Sequence, residues 1–223
     1  MAELPNRPHL RYLRREARLL QRELGPGLQC AQDRLARAYG FANWAGLKHT
    51  IEAGELVLRW AGRLLGKREL EALRDRGEAP LPIAILPALR HPNPRVRYEC
   101  LGLLDHLADE DCVAALVAAA SDPVPRVRRM AVHALGCQGC KTAALCAELN
   151  SVFLPIAEGD PVWRVRQEAI LSVAQQPATN ASRAVLARLA DEDPHPEVRK
   201  QAGWALRIQQ GRPWSYGHRN PDI

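Results

Sequence analysis

His91-Pro-Asn-Pro-Arg-Val-Arg97 is the first of four copies of one short pattern in this chain. The later copies read Asp122-Pro-Val-Pro-Arg-Val-Arg128, Asp160-Pro-Val-Trp-Arg-Val-Arg166 and Asp193-Pro-His-Pro-Glu-Val-Arg199. Their valines lie at positions 96, 127, 165 and 198, so successive copies are 31, 38 and 33 residues apart. Periods of about 20–50 residues are typical of stacked supersecondary units. The sequence therefore predicts a repeat architecture.

Small and apolar residues follow each valine at helical spacing. Four residues after the valines come Cys100, Ala131, Ala169 and Ala202. About two turns after the valines come the apolar pairs Leu103-Leu104, Ala134-Leu135, Val173-Ala174 and Ala205-Leu206, of which the third lies one residue farther from its valine than the others. This spacing predicts one apolar stripe on an amphipathic helix. A second apolar segment precedes each turn, so each unit is predicted to be a pair of antiparallel helices that must stack on its neighbours.

The residues around the turns indicate where these helices begin and end. Each Asp-Pro pair suits an N-cap followed by a proline at the first helical position or in the preceding turn. Gly136 follows an apolar pair at a point where a helix is expected to stop.

Together, the proline turn, the Val-Arg pair and the following alanines resemble the HEAT family, in particular the short HEAT-like repeats of bacterial proteins. The resemblance covers about residues 80–210. It implies an all-α fold, a right-handed α-solenoid of about four helix pairs, and a habit of binding other molecules without any single activity.

Composition and charge restrict the class of protein. Hydrophobic residues make up 47% of the chain and aromatic residues only 5%, which fits helices packed through alanine and leucine. No apolar run reaches the length of about 18 residues that a membrane span needs. The N-terminus lacks the pattern of a secretory signal, so we expect a cytoplasmic protein with no membrane partner. In that compartment buried thiols are the expected state of the six cysteines, which are Cys30, Cys100, Cys112, Cys137, Cys140 and Cys146.

The chain divides into four predicted regions. These are a helical N-terminal module or cap at 1–53, a degenerate helical pair or linker at 54–80, the repeat array at 81–210 and an irregular tail at 211–223. The stretch 35–48 resembles a helical module near the N-termini of some bacterial ankyrin-repeat proteins, which implies no particular activity.

The N-terminal region carries most of the positive charge. Residues 1–80 hold 15 Lys and Arg against 10 Asp and Glu, whereas the rest of the chain holds 16 against 15. Helices are expected at 9–24, 28–39 and 43–52. A helix-turn-helix reading would place polar side chains on the third helix for base contacts, but Phe41 and Trp44 are better explained as core anchors.

The longest repeat spacing contains a cluster of soft metal ligands. His133, Cys137, Cys140 and Cys146 lie within fourteen residues, and two residues separate the central cysteines. Such a set matches the ligand types of a tetrahedral zinc site. A redox-active thiol pair and ordinary packing of a loop insertion are the alternatives. Zinc is the one cofactor that the sequence suggests.

A second candidate site is a surface formed by consecutive Val-Arg helices. Arg95, Arg126 and Arg164 precede the repeat valines and could bind carboxylates or phosphates, and Trp163 and Trp204 lie on adjacent repeats. The arginines after the valines point in nearly the opposite direction and are expected to make hydrogen bonds between repeats.

The sequence favours a non-catalytic function. It contains no Gly-rich phosphate loop, Gly-x-Ser-x-Gly elbow or His-Glu-x-x-His motif, so no catalytic residue is assigned. We therefore expect a platform or assembly factor that binds another protein. The alternative is a nucleic-acid-binding protein, in the form of a HEAT-like alkylpurine DNA glycosylase, with Trp163 and Trp204 next to Asp160 or Glu168.

Overall fold

A computed structural model describes residues 4–5, 8–25, 27–61, 67–141, 145 and 148–212. All regular secondary structure in these ranges is helical, as predicted. The helices are α1 (Leu10–Leu24), α2 (Leu28–Ala38), α3 (Trp44–Ala61), α4 (Lys67–Asp75), α5 (Pro82–Ile85), α6 (Pro94–Leu107), α7 (Val113–Ala119), α8 (Pro125–Gly136), α9 (Asn150–Gly159), α10 (Trp163–Ala174), α11 (Asn180–Glu192) and α12 (Pro196–Gln209). Two 3-10 turns lie at Leu86–Arg90 and Glu110–Cys112. Of the predicted tail, all but the first two residues lie outside the described ranges.

None of the helices in these ranges is both long enough and apolar enough to cross a membrane.

The chain forms two compact units, Met1–Leu103 and Leu104–Ile223. In the first unit α1 packs on α2, and α2 packs on α3. Phe41 and Trp44 are buried in the core between these helices, as predicted. Asp33 on α2 accepts a hydrogen bond from the backbone N–H of Trp44 at 2.8 Å, which caps the start of α3 and lowers the pKa of Asp33. Helix α3 is continuous to Ala61, whereas the sequence predicted a helix at 43–52 and a separate helical pair or linker from residue 54.

The predicted apolar register of the repeats is confirmed by burial. The four repeat valines and the four small residues that follow them by one turn are all buried. Of the eight apolar residues two turns on, Leu206 alone is only partly buried. The stripe is therefore buried in every copy, because a helix pair cannot cover its own apolar stripe and must bury it against neighbouring helices.

The second unit consists of stacked helix pairs. Helix α7 packs on α8, α9 on α10, and α11 on α12. Helix α10 also packs between α8 and α12, and α9 contacts α11. The second helices of the pairs (α8, α10 and α12) therefore form one layer, which we call the inner layer. The first helices (α7, α9 and α11) pack against this layer.

Adjacent repeats in this unit are joined by arginine–aspartate pairs. Arg128 donates from Nε and Nη2 to the two carboxylate oxygens of Asp160, at 2.7 and 3.0 Å. Arg166 donates in the same way to Asp193, with both distances 2.8 Å. A third guanidinium nitrogen of each arginine donates to the carbonyl of the aspartate that opens its own repeat. These bonds confirm the expected hydrogen bonding between repeats for Arg128 and Arg166.

The aspartates are not the N-cap residues of the helices, contrary to the prediction from the Asp-Pro pattern. The residues that precede the helices are Val124, Val162 and His195. Each aspartate lies two residues earlier and accepts the backbone N–H of that cap residue at 2.8–2.9 Å. The carboxylate therefore shapes the turn before the helix, which leaves it free to receive the arginine of the preceding repeat.

His91 occupies the aspartate position in the first copy. Its Nδ1 accepts the backbone N–H of Asn93 at 3.1 Å, as the aspartate oxygens do in the later copies. The ring is buried and packs against Gly54, where a Cβ would lie 2.7 Å from Cδ2 of His91. Burial lowers the pKa of His91 to about 4, so the ring is neutral at pH 7.

We expect Asp193→Asn to lower the free energy of unfolding by about 3 kcal/mol, because it breaks a buried pair and leaves Arg166 without its partner. Arg166 is only 7% exposed and Asp193 5%. Glu158→Gln is the matched control, because the pair of Glu158 with Arg188 is on the surface and is worth less than about 1 kcal/mol. Urea unfolding followed by circular dichroism measures both, and equal losses would contradict the assignment.

His91 should make the protein sensitive to mild acid. Its pKa is about 4 when folded and 6.5 ordinarily, so the unfolded chain takes up the proton first. Stability from this group is complete above pH 6.5 and is lost as the pH falls toward 4, by about 3 kcal/mol in total. His91→Asn keeps an acceptor for the turn but cannot be protonated. The difference in unfolding free energy between the wild type and this variant, measured from pH 7 to 4, should therefore shrink or reverse toward acid. A constant difference would show that the ring is not buried as a neutral base.

Candidate metal centre

Four potential ligands converge where helix α8 ends. They are Asp105 near the end of α6, His133 in the last turn of α8, and Cys137 and Cys140 in the turn that follows α8. One ligand atom from each of these side chains lies within 4.8 Å of all the others. The structure thus brings together three of the four predicted residues, whereas Cys146 lies outside the described ranges. Asp105 was not among the predicted ligands.

Two of the six separations among the four ligand atoms can be compared with the edges of a coordination tetrahedron. Nε2 of His133 lies 3.4 Å from Oδ2 of Asp105 and 3.8 Å from Sγ of Cys140. Zinc binds nitrogen or oxygen at about 2.0–2.1 Å and sulfur at about 2.3 Å, so the corresponding tetrahedral edges are about 3.3 Å and about 3.6 Å. Both observed separations are therefore close to those that a bound ion would impose.

Glu168 on α10 orients the imidazole. Its Oε1 lies 2.9 Å from Nδ1 of His133, so the imidazole is held at that nitrogen and Nε2 faces Asp105 and Cys140. Hydrogen bonds with Asp105, Cys137 and Glu168 raise the pKa of His133 far above its ordinary value. A carboxylate behind a histidine in this way fixes the ring and its tautomer, as it does around protein-bound metals.

Two buried charges face each other beside the cysteines. Asp105 is 4% exposed and Lys141 3%, and Nζ of Lys141 lies 3.7 Å from Oδ1 of Asp105. That distance is too long for a hydrogen bond, and Oδ1 of Asp105 has no hydrogen-bond partner among the described residues. Burial alone raises the pKa of Asp105, but His133 and Lys141 lower it overall, so the carboxylate is ionised. Burial lowers the pKa of Lys141.

A close approach of two helices positions this end of α8. Gly136 is the last residue of α8, and a Cβ on it would lie 2.2 Å from Oγ and 3.0 Å from Cα of Ser172 on α10. Helix α8 ends at Gly136, as predicted, but Gly136 does not have the positive φ typical of a glycine after a helix. Its function is to let α10, which carries Glu168, approach the helix that carries His133.

The other described cysteines have different environments. Cys100 and Cys112 are buried as expected, and burial raises the pKa of the Cys112 thiol to about 11. Cys30 is exposed, contrary to the expectation of buried thiols throughout. No disulfide forms among these residues or at the metal-ligand cluster.

Four of the five predicted surface residues lie at the starts of the Val-Arg helices, and Trp204 does not. Arg126 and Arg164 are the second residues of α8 and α10, and both are exposed. Arg95 has the same position on α6 in the other unit, where it pairs loosely with Glu99 at 3.7 Å. The Arg164 guanidinium lies over the ring of Trp163, 4.3 Å from its centroid.

The two tryptophans are not side by side. Trp163 starts α10 and stacks on His195 at 4.0 Å between ring centroids, whereas Trp204 lies eight residues into α12, about 12 Å farther along its axis. The two acids considered for a glycosylase site have structural partners, since Asp160 is bound by Arg128 and Glu168 by His133.

Comparison with protein families agrees with the repeat register. The family of HEAT repeats matches residues 83–149 and 150–213, which together make up more than half of the chain. No curated protein matches the chain. The match begins after the N-terminal helices, so the resemblance of that region to a module of ankyrin-repeat proteins stays a prediction.

Gly136→Ala should destabilise the protein by about 1–3 kcal/mol, because the new methyl group collides with the backbone and side chain of Ser172. Gly102→Ala is the control, since Gly102 lies within α6 and a Cβ there meets nothing within 4 Å. That control should gain up to about 1 kcal/mol from better helix propensity. Thermal or urea unfolding checks the two signs, and a stabilising Gly136→Ala would contradict the close approach.

Proposed function

Because the chain belongs to the family of HEAT-repeat proteins, we propose that it is a non-catalytic platform that binds another protein through its inner layer. HEAT repeats suggest a protein-interaction or scaffold role, and stacked helix pairs present extended surfaces suited to it. The finer proposal is that the first turns of the inner helices form the contact surface. A cytoplasmic location fits the free thiols of the described cysteines.

The observation that carries this proposal is the group of side chains at the start of α10. Trp163 is half-buried, stacks on His195 and lies under the guanidinium of Arg164. Aromatic and arginine side chains held in place by packing lose little conformational entropy on binding, and such residues are enriched in interface hot spots. This group is therefore suited to anchor a partner.

The charge of this surface indicates the chemistry of the partner. Arg126 and Arg164 occupy matching positions on adjacent inner helices, and guanidinium groups bind carboxylates in a bidentate manner. In the next copy Glu197 replaces the arginine, so the positive surface ends there. We therefore expect the partner to present acidic side chains to α8 and α10.

The arginine–aspartate pairs between repeats support this role indirectly. Arg128 and Arg166 fix the starts of successive inner helices relative to each other, because each bridges its own turn and the next. The exposed arginine two residues earlier in each helix is therefore held at a defined spacing from its neighbour. A surface organised before binding has less to lose in entropy when the partner arrives.

A nucleic-acid partner is the second candidate, and helix α1 favours it. Five exposed arginines follow one stripe of this helix, at positions 11, 14, 15, 18 and 22. Exposed Tyr12 and Leu19 lie on the same helix. A basic stripe of this kind neutralises phosphates, and binding through it weakens steeply as salt rises. Salt dependence and nuclease treatment therefore separate this candidate from the protein platform.

The test compares two double variants that remove equal charge. Arg126→Ala with Arg164→Ala changes the inner surface, whereas Arg188→Ala with Arg212→Ala changes exposed arginines elsewhere in the same unit. Tagged proteins are recovered from the native cytosol with and without nuclease, and co-purifying proteins are quantified by mass spectrometry. We expect one stoichiometric partner that resists nuclease and falls at least about tenfold in the first double variant only.

Recovery that depends on nucleic acid would contradict the platform and favour the second candidate. In that case substitution of the α1 arginines by alanine should reduce the salt dependence of binding, which a filter or fluorescence assay with labelled DNA and RNA measures. Equal losses in both double variants would show a general effect of charge.

A further inference from the structure

We propose that Asp105, His133, Cys137 and Cys140 form a four-coordinate structural site for Zn²⁺. The inference does not depend on the proposed binding platform, since it concerns the other end of the inner helices. It rests on the convergence of the four ligand atoms within 4.8 Å and on the unpartnered buried oxygen of Asp105.

The donor set selects zinc. Two thiolates, one imidazole nitrogen and one carboxylate oxygen are ligand types that Zn²⁺ accepts in tetrahedral geometry. Magnesium and calcium prefer sites made of oxygen alone and larger coordination numbers. Four protein ligands fill the tetrahedron and leave no open position for a substrate, which makes the site structural.

The supporting residues are already in place for a bound ion. Glu168 holds the imidazole of His133 at Nδ1, so the ring directs Nε2 to the centre of the cluster. His106 contacts the backbone carbonyl of Cys140 at 3.0 Å, and Lys141 donates to that of Cys137 at 3.2 Å. Both cysteine segments are thus held by hydrogen bonds outside the ligand set, as is usual around protein metals.

The charges of the site balance when the ion is bound. Zinc would displace the Nε2 proton of His133. The ion with two thiolates, a carboxylate and the resulting neutral imidazole carries a net charge of −1, and the ammonium of buried Lys141 next to Asp105 compensates it. The metal would also compensate the charge of the buried Asp105 carboxylate, whose Oδ1 has no hydrogen-bond partner among the described residues. A buried ionised carboxylate is costly without such compensation.

A disulfide between Cys137 and Cys140 is the competing use of the thiols. It would not account for the orphan oxygen of Asp105 or for the position of Nε2 of His133, which lies among the other three ligands. The metal site accounts for all four side chains together. It also explains why the chain can lengthen the repeat spacing to 38 residues at this point, because the ion ties the start of the insertion to α6 and α8.

The first experiment measures metal in the purified full-length protein, kept reduced and free of added chelator. Elemental analysis should find about one zinc per chain. Replacement by Co²⁺ should give the intense thiolate charge-transfer band and the visible bands of tetrahedral cobalt. Cys137→Ser and Cys140→Ser should lose both signals, whereas Cys30→Ser, which changes an exposed cysteine in the other unit, should keep them.

The second experiment identifies the fourth ligand. Asp105→Asn should weaken zinc binding and shift the cobalt spectrum, whereas Cys146→Ser should leave both unchanged. Glu168→Gln should keep the spectrum but weaken binding by about 10–100-fold, since Glu168 acts through His133 and does not touch the ion. The reverse result for Asp105 and Cys146 would overturn the assigned ligand set.

Two further results would overturn the site itself. The wild type could fail to bind zinc and to show a cobalt–thiolate band on titration, or thiol counting could reveal a disulfide in the freshly purified protein. If a cysteine variant does not fold, the wild-type cobalt spectrum and a chelator titration decide instead. Removal of zinc by chelator should lower the thermal midpoint of the wild type, and an unchanged midpoint would contradict a structural role.

Discussion

The arginine–aspartate pair between successive repeats is the interaction on which the second unit depends. One carboxylate accepts the turn N–H of its own repeat and both guanidinium bonds from the preceding one, so turn geometry and repeat stacking are set by the same group. Arg128 in turn bridges the carbonyl at its own turn and Asp160 of the next. Apolar stripes along the helices supply most of the burial, but apolar contacts are not directional and do not by themselves define the register between repeats. The directional, buried pair fixes the register in which they meet.

The fold was predictable because its determinants are local and repeated. A valine, a small residue one turn on and a pair of apolar residues two turns on can be read from any single copy, and four copies confirm one another. The exceptions are instructive. Helix α8 ends at Gly136 as its neighbours in sequence predicted, but the need for a glycine there depends on Ser172 of another helix, which the sequence does not show. The three aspartates were placed at the cap itself because sequence spacing does not show that the carboxylate is shared with an arginine about thirty residues away.

The candidate metal centre shows the same limit in a different form. His133, Cys137 and Cys140 are close in sequence and were found from their spacing, whereas Asp105 precedes them by 28 residues on another helix. No ligand spacing rule connects it to the cysteines. The available signal was physical: an acidic residue in the last turn of α6, directly after the buried apolar pair Leu103-Leu104. The insertion that disturbs the repeat spacing is therefore where the chain gathers groups that the regular repeat lacks.

The presence of His91 in the first copy has a consequence for the order in which the repeats can follow one another. An imidazole that accepts a turn N–H can shape the turn. It has no carboxylate oxygens, however, to accept the two hydrogen bonds of a guanidinium group from a preceding repeat. The copy that opens with Asp160 receives the guanidinium of Arg128 from the copy before it and donates through Arg166 to Asp193 of the copy after it. The copy that opens with histidine cannot receive an arginine in this way. The array therefore has a direction built into its sequence, and its repeats are not interchangeable parts.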